Sequence, residues 1–151
     1  MRRYKFKLQR VLDFKETKEW LAQESLAEAT REHIAAQDAL AEMERRKAKL
    51  LRDIGEAQDG SVDLRQLELC LGYLDFLLQG IEHRTEEVVQ LAEVVEERRG
   101  ELIEASREKE TIVKVKERDF GKYVTLMRAL EQKFIDDLAT TKAAREISTG
   151  S

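Results

Sequence analysis

The chain has 151 residues, enough for one ordinary globular domain, yet 38% of them are charged, only 6% are aromatic and none is proline. So few aromatic residues exclude a thick globular core, and the absence of the strongest helix breaker leaves very long helices open. Net charge is −4, divided as +3 over residues 1–54 (13 Lys and Arg against 10 Asp and Glu) and −7 over residues 55–151 (14 against 21). That balance argues against nucleic acid as the main partner, which calls for a concentrated basic face.

The chain begins with Arg2, Arg3, Lys5, Lys7 and Arg10. These basic residues suit either a solvated helix start or contact with an acidic partner or membrane surface. No apolar h-region follows, so the segment does not read as a signal peptide, and no stretch reaches the roughly 18 apolar residues of a spanning helix. A first helix is expected from about residue 5 to 54. Its apolar seam takes in Leu8, Leu12, Ala22, Leu26, Ala29, Ala36, Leu40, Met43, Leu50 and Ile54. Spacings of four and three in alternation are the 3.5-residue period of a left-handed coiled coil. Polar residues interrupt the seam at Lys15, Glu19, His33 and Lys47, where they fix register at a cost in stability. The alanines imply a thin seam and close approach of a partner helix.

Residues 55–62, Gly-Glu-Ala-Gln-Asp-Gly-Ser-Val, carry two glycines within six positions and let the chain reverse. Ser61 or Asp63 is placed to cap the next helix, and Asp63 with Gln66 has the form of a capping box. The segment lacks the alternating ligands and closing Glu of a calcium-binding loop. A second helix is expected from about residue 63 to 147. Its seam takes in Leu67, Leu71, Leu74, Leu78, Ile81, Val88, Ala92, Val95, Leu102, Val113, Phe120, Tyr123, Met127, Leu130 and Phe134. The fold class is therefore all-α: a single antiparallel coiled-coil hairpin over 1–151, its second helix longer than its first. At 1.5 Å per residue the helices would run roughly 70 Å and roughly 125 Å.

Two places on this hairpin stand out. If it closes near residue 58, Leu8 faces residues 107–109, and everything beyond about residue 115 lacks an intramolecular partner. The seam nevertheless continues there and becomes most aromatic, which calls for another surface. Near the turn, the apolar residues between Leu64 and Ile81 cover most of the helix circumference, whereas one partner helix buries only one stripe. Leu69, Tyr73, Phe76, Leu77 and Gly80 are thus expected to be partly exposed as an interaction patch. The other reading is a locally thicker core under Leu51 and Ile54.

No HExxH, CxxC pair, phosphate-binding glycine loop or nucleophile elbow is present. The reading is a non-enzyme without cofactor or metal. His33 and His83 would come near each other in a hairpin closing near residue 58, which is a weak metal signal. The single cysteine, Cys70, cannot form an internal disulfide and suits a reducing cytoplasm.

The opening YKFKLQRVLDFKETKEWLAQESLAEA resembles the start of the flagellar export protein FliJ family, through Phe6, Leu8, Val11, Leu12, Leu26, Ala27 and Ala29. Lys114, Lys116, Glu117 and Arg118 are similar to that family's Lys-x-Lys-Glu-Arg segment. Phe134 to Ala139 is similar to its closing acidic helix end, and the turn near residue 60 with the Tyr73–Phe76 step also fits. The resemblance implies a cytoplasmic stalk or chaperone component of the flagellar type III export apparatus, peripheral at the membrane and similar to the gamma subunit of rotary ATP synthases. The implied partners are a hexameric FliI-like export ATPase, the cytoplasmic domain of an FlhA-like export gate, and export chaperones. Carried onto this chain, Phe6, Leu8, Leu12, Phe120, Tyr123, Met127, Leu130 and Phe134 would meet the ATPase ring. Leu69, Tyr73, Phe76, Leu77 and Gly80 would meet the gate. A monomer is expected, with neither nucleic acid nor membrane insertion. The stalk of a virulence-type secretion system and a generic homodimeric tether remain the alternatives.

Overall fold

A computed structural model describes residues 3–57, 60 and 63–150. Two helices, α1 (Gln9–Ala57) and the longer α2 (Leu64–Thr149), form an antiparallel coiled-coil hairpin. Among the described residues no helix is long and apolar enough to cross a membrane. By contacts the chain divides into two compact units. One, the hairpin unit, is Glu19–Glu104; the other, the terminal unit, joins Met1–Lys18 to Ala105–Ser151.

α1 starts at residue 9 rather than near 5. Residues 3–8 offer no Ser, Thr, Asp or Asn to cap an earlier start. The first hydrogen bonds are instead Gln9 N–H to the Phe6 carbonyl (3.2 Å) and Leu12 N–H to the Leu8 carbonyl (2.9 Å). At its other end α1 runs through Gly55 to Ala57, three residues past the expected stop. Gly55 has open space around it, so the helix passes without steric objection. Ser61 lies outside the described residues. Asp63 does cap α2: its Oδ1 accepts the Arg65 backbone N–H at 3.0 Å, and its carbonyl accepts Leu67 N–H at 3.0 Å.

The α1 seam follows the expected spacing, with Leu12, Ala29 and Ala36 fully inside. On α2 the seam differs. It runs through Leu67, Cys70, Leu74 and Leu77, not through Leu71 and Leu78, which are half exposed. Leu67 and Leu74 are compatible with either set. Val88, Val95 and Leu102 likewise belong to both; the choice is made by Leu91 and Ala105, which continue the Cys70–Leu77 spacing. The alternative would carry Thr85, Arg99 and Ser106 inward.

The pairing offset also differs from expectation. In the hairpin unit Gly80 packs against Met43; in the terminal unit Lys15 and Lys18 both bind Glu108 at 3.0 Å. The numbers 43 and 80, like 15 and 108, sum to 123, whereas closure near residue 58 gives about 116. The three extra residues of α1 account for the shift. His33 is therefore level with residues near 90, about 10 Å along the axis from His83, and the two histidines do not meet. Among the described residues no group of three or more His, Cys, Asp or Glu is arranged to hold a metal.

In the terminal unit, residues 3–8 form an arm along α2. The Tyr4 hydroxyl donates to Asp119 Oδ2 at 2.9 Å. Its ring meets Phe120 edge-on at 5.1 Å and Tyr123 at 5.2 Å. Lys116 donates to Gln9 Oε1 at 2.9 Å while its ammonium sits 5.9 Å from the Phe6 ring centroid. Tyr4 and Asp119 keep the offset of the two helices, their numbers summing to 123, so the arm carries the pairing on past the start of α1. Intramolecular pairing therefore extends to Tyr123 rather than ending near residue 115.

Partial burial of the Tyr4 ring, then the hydrogen bond and negative charge of Asp119, hold its hydroxyl above the ordinary tyrosine pKa. The protonated form is the docked one. Its stabilisation is present below the ordinary value and is lost as pH rises through the raised one. In an absorbance titration at 295 nm, Asp119→Ala should shift the latest-titrating tyrosine toward lower pH; superimposable curves would contradict the contact. The seam assignment is tested by urea unfolding followed by helical circular dichroism. Leu77→Ala should cost about 2–5 kcal/mol and Leu71→Ala less than about 1 kcal/mol. The reverse order would restore Leu71 to the seam.

Candidate partner-binding surfaces

The arm makes a groove in the terminal unit. Arg3, Lys5, Lys7 and Lys122 rim it, and Tyr123, Leu126, Met127 and Leu130 form its floor, enclosing about 640 Å³. A neighbouring depression of about 530 Å³ continues to Phe134 along the same face. Beyond the arm α2 keeps its apolar face uncovered: Phe134 is 64% exposed, and Leu126, Leu130 and Leu138 are more than half exposed. This is the physical content of the seam outrunning its partner, though it begins later than the sequence suggested.

All eight residues expected at the ATPase ring fall in this unit, but they do not share one surface. Leu8, Phe120, Leu130 and Phe134 are exposed, and Tyr123 and Met127 are half buried. Phe6 is half buried beneath Lys116. Leu12 is inside the seam, where it packs α1 against α2 and offers nothing to a partner.

Near the turn, Leu69, Tyr73 and Phe76 are exposed, and the Tyr73 and Phe76 rings stack at 6.4 Å. A shallow depression of about 550 Å³ lies beside them, lined by Arg65, Glu68, Leu69, Gly72 and Tyr73. Leu77 was expected in this patch and is instead the most buried side chain described, at 1% exposure. It occupies the seam position that Leu78 was expected to fill. Gly80 has a packing reason: any β-carbon there would overlap the Met43 Cε, so the glycine lets α1 approach closely.

One feature of the electrostatics is invisible when charge is counted by arm. The terminal unit carries 17 Lys and Arg against 10 Asp and Glu, a net +7. The hairpin unit carries 10 against 21, a net −11. Folding brings the basic start of α1 beside the Lys- and Arg-rich middle of α2, and counting at the turn splits that pair. Within the terminal unit Glu108 is held below the usual carboxylate range by hydrogen bonds from Lys15 and then Lys18. This clamp contributes above the ordinary carboxylate pKa and is lost as pH falls through the lowered value.

No curated protein matches the sequence. Among solved structures, one of a YscO homolog from Chlamydia trachomatis is similar, with a TM-score of 0.56 at 18% identity, covering 91% of this chain and 94% of that one. At that identity the likeness is one of fold. The family model described as Flagellar FliJ protein matches residues 4–148. The hairpin with its longer second helix and the opening, central and closing motifs all fall within that span, and the chain belongs to the FliJ family, whose members are non-enzymatic components of type III protein export.

Proposed function

We propose that this protein is the stalk of a flagellar type III export apparatus, joining a hexameric FliI-like ATPase to an FlhA-like gate in the cytoplasm. The observation that carries this reading is the uncovered apolar face of α2 from Leu126 to Leu138, in a unit of net charge +7. A solvated helix gains nothing from such a face, and contiguous exposed apolar surface is typical of interaction sites. A coiled coil presenting it needs no catalytic residue to engage a ring from its centre. The gate contact is assigned to Leu69, Tyr73 and Phe76, which are exposed, with Gly80 shaping the helix pair beneath them. Export chaperones are further partners on this reading, and the chain itself acts as a monomer.

Leu130→Ser with Phe134→Ser should weaken ATPase capture about tenfold or more in a pull-down while leaving helicity unchanged. Undiminished capture would sink the ring contact. If the mutated face instead joins two copies, sedimentation of the unmodified chain will show a dimer that the double substitution dissolves. The gate contact has its own readout. Tyr73→Ala with Phe76→Ala should abolish binding to the gate's cytoplasmic domain and spare ATPase capture, and retained gate binding would remove that assignment.

A further inference from the structure

The hairpin unit has a second apolar surface, on a flank that the seam expected from sequence conceals. Trp20 and Ile34 on α1 each directly follow a seam residue, as do Val89 and Ile103 on α2. All four are about half exposed, with Trp20 at 57%. At the observed offset they fall in level pairs: 20 with 103, and 34 with 89, each sum to 123. Leu51 and Leu71, also following seam residues and half exposed, come within one residue of level, their numbers summing to 122, and Leu78 lies between.

In antiparallel coiled coils, positions that precede seam residues face each other on one flank, and those that follow share the opposite flank. Lys18 and Glu108 both precede seam residues in the terminal unit, and they form an ion pair at 3.0 Å, as this rule requires. The apolar pairs of the hairpin unit thus line one flank from level 20 to level 51, a span of about 47 Å. The opposite flank carries Glu28, Glu32, Glu97 and Glu101 at the preceding positions, with Leu21 toward one end and Tyr73 and Phe76 toward the other. The α2 border of the apolar flank is also acidic: Glu68, Asp75, Glu82 and Glu96 stand in one seven-residue row with Val89 and Ile103, whereas the α1 row that holds Trp20 and Ile34 is filled out by Ala27, Ala41 and Ala48.

We propose that this flank is a docking groove for a basic amphipathic helix of another polypeptide, which would complete a three-helix coiled coil over the hairpin unit. The helix would lay its apolar stripe on the Trp20–Ile103 and Ile34–Val89 levels. Its Lys or Arg side chains would meet the acidic border of α2. A second copy of this chain fits less well, because flank-to-flank pairing would set two units of charge −11 side by side. The groove is separate from both the terminal face and the Tyr73–Phe76 patch, and it stands whether or not those engage an ATPase and a gate.

Trp20 is the only tryptophan and reports on the groove directly. The probe is a synthetic helical peptide of about four heptads, with leucine at the seam positions, lysine on the flanks and no tryptophan. Added to the full chain, it should shift Trp20 emission to the blue and saturate. Its glutamate-flanked isomer should not. Ile34→Ser with Val89→Ser should weaken the response about tenfold or more, and Leu21→Ser, on the other flank, should leave it unchanged. No shift, an equal response to both peptides, or undiminished affinity in the double variant would overturn the groove. A concentration-dependent shift without peptide, accompanied by a sedimenting dimer, would assign the flank to a second copy and overturn the proposal equally.

Discussion

The Met43–Gly80 packing and the Lys15–Glu108 ion pair fix the offset at which α1 and α2 pair, with facing residue numbers summing to 123. A two-helix coiled coil has little other core to hold it: among the described residues only Leu12, Ala29, Ala36, Leu77, Val95 and Ala105 are fully buried apolar residues. With so thin a seam, the offset decides everything outside it. A slide of one heptad would keep the apolar period and lose each specific contact. Gly80 would leave Met43, Glu108 would leave its two lysines, and Tyr4 would miss Asp119. At this offset Gly80 lies against Met43, and the buried alanines Ala29, Ala36 and Ala105 keep the seam narrow.

The same offset sorts the exposed surface. In the terminal unit it sets the cationic start of the chain beside Lys116 and Lys122, and Tyr4 of the arm packs on Phe120 and Tyr123. In the hairpin unit it aligns Trp20 with Ile103 and Ile34 with Val89, on a flank whose α2 side also carries Glu82 and Glu96. A basic unit with an uncovered aromatic and aliphatic face, and an acidic unit with an apolar flank, are suited to different partners.

The helices, their antiparallel order and their unequal lengths were legible in the sequence because a 3.5-residue period over dozens of residues has few other readings. The α1 seam was legible residue by residue. The α2 seam was not, because leucines at 64, 67, 69, 71, 74, 77 and 78 satisfy more than one stripe, and the spacing of four and three through Leu67, Leu71, Leu74, Leu78 and Ile81 is as regular as the one through Cys70 and Leu77. The offset failed for a related reason: two glycines suggested an early turn, yet Gly55 sits in open helix. Leu77 moved from a supposed contact residue to the centre of the core, and His33 moved away from His83. Tyr4 was the residue whose contact was hardest to foresee. It lies before the first residue of α1, and its meeting with Asp119 follows from the 123 offset, which the early turn expected from the two glycines concealed.

The offset is open to direct measurement by pulsed dipolar spectroscopy on spin labels placed in a chain with Cys70 replaced by alanine. Two labelled pairs decide it: 34 with 89, and 34 with 82. Offset pairing at 123 requires the shorter distance between 34 and 89, with the 34–82 pair longer because about 10 Å of axial displacement adds in quadrature to the separation across the helix pair. A shorter distance between 34 and 82 would return the hairpin to closure near residue 58, bring His33 back to His83, and remove both the Tyr4–Asp119 contact and the level apolar pairs.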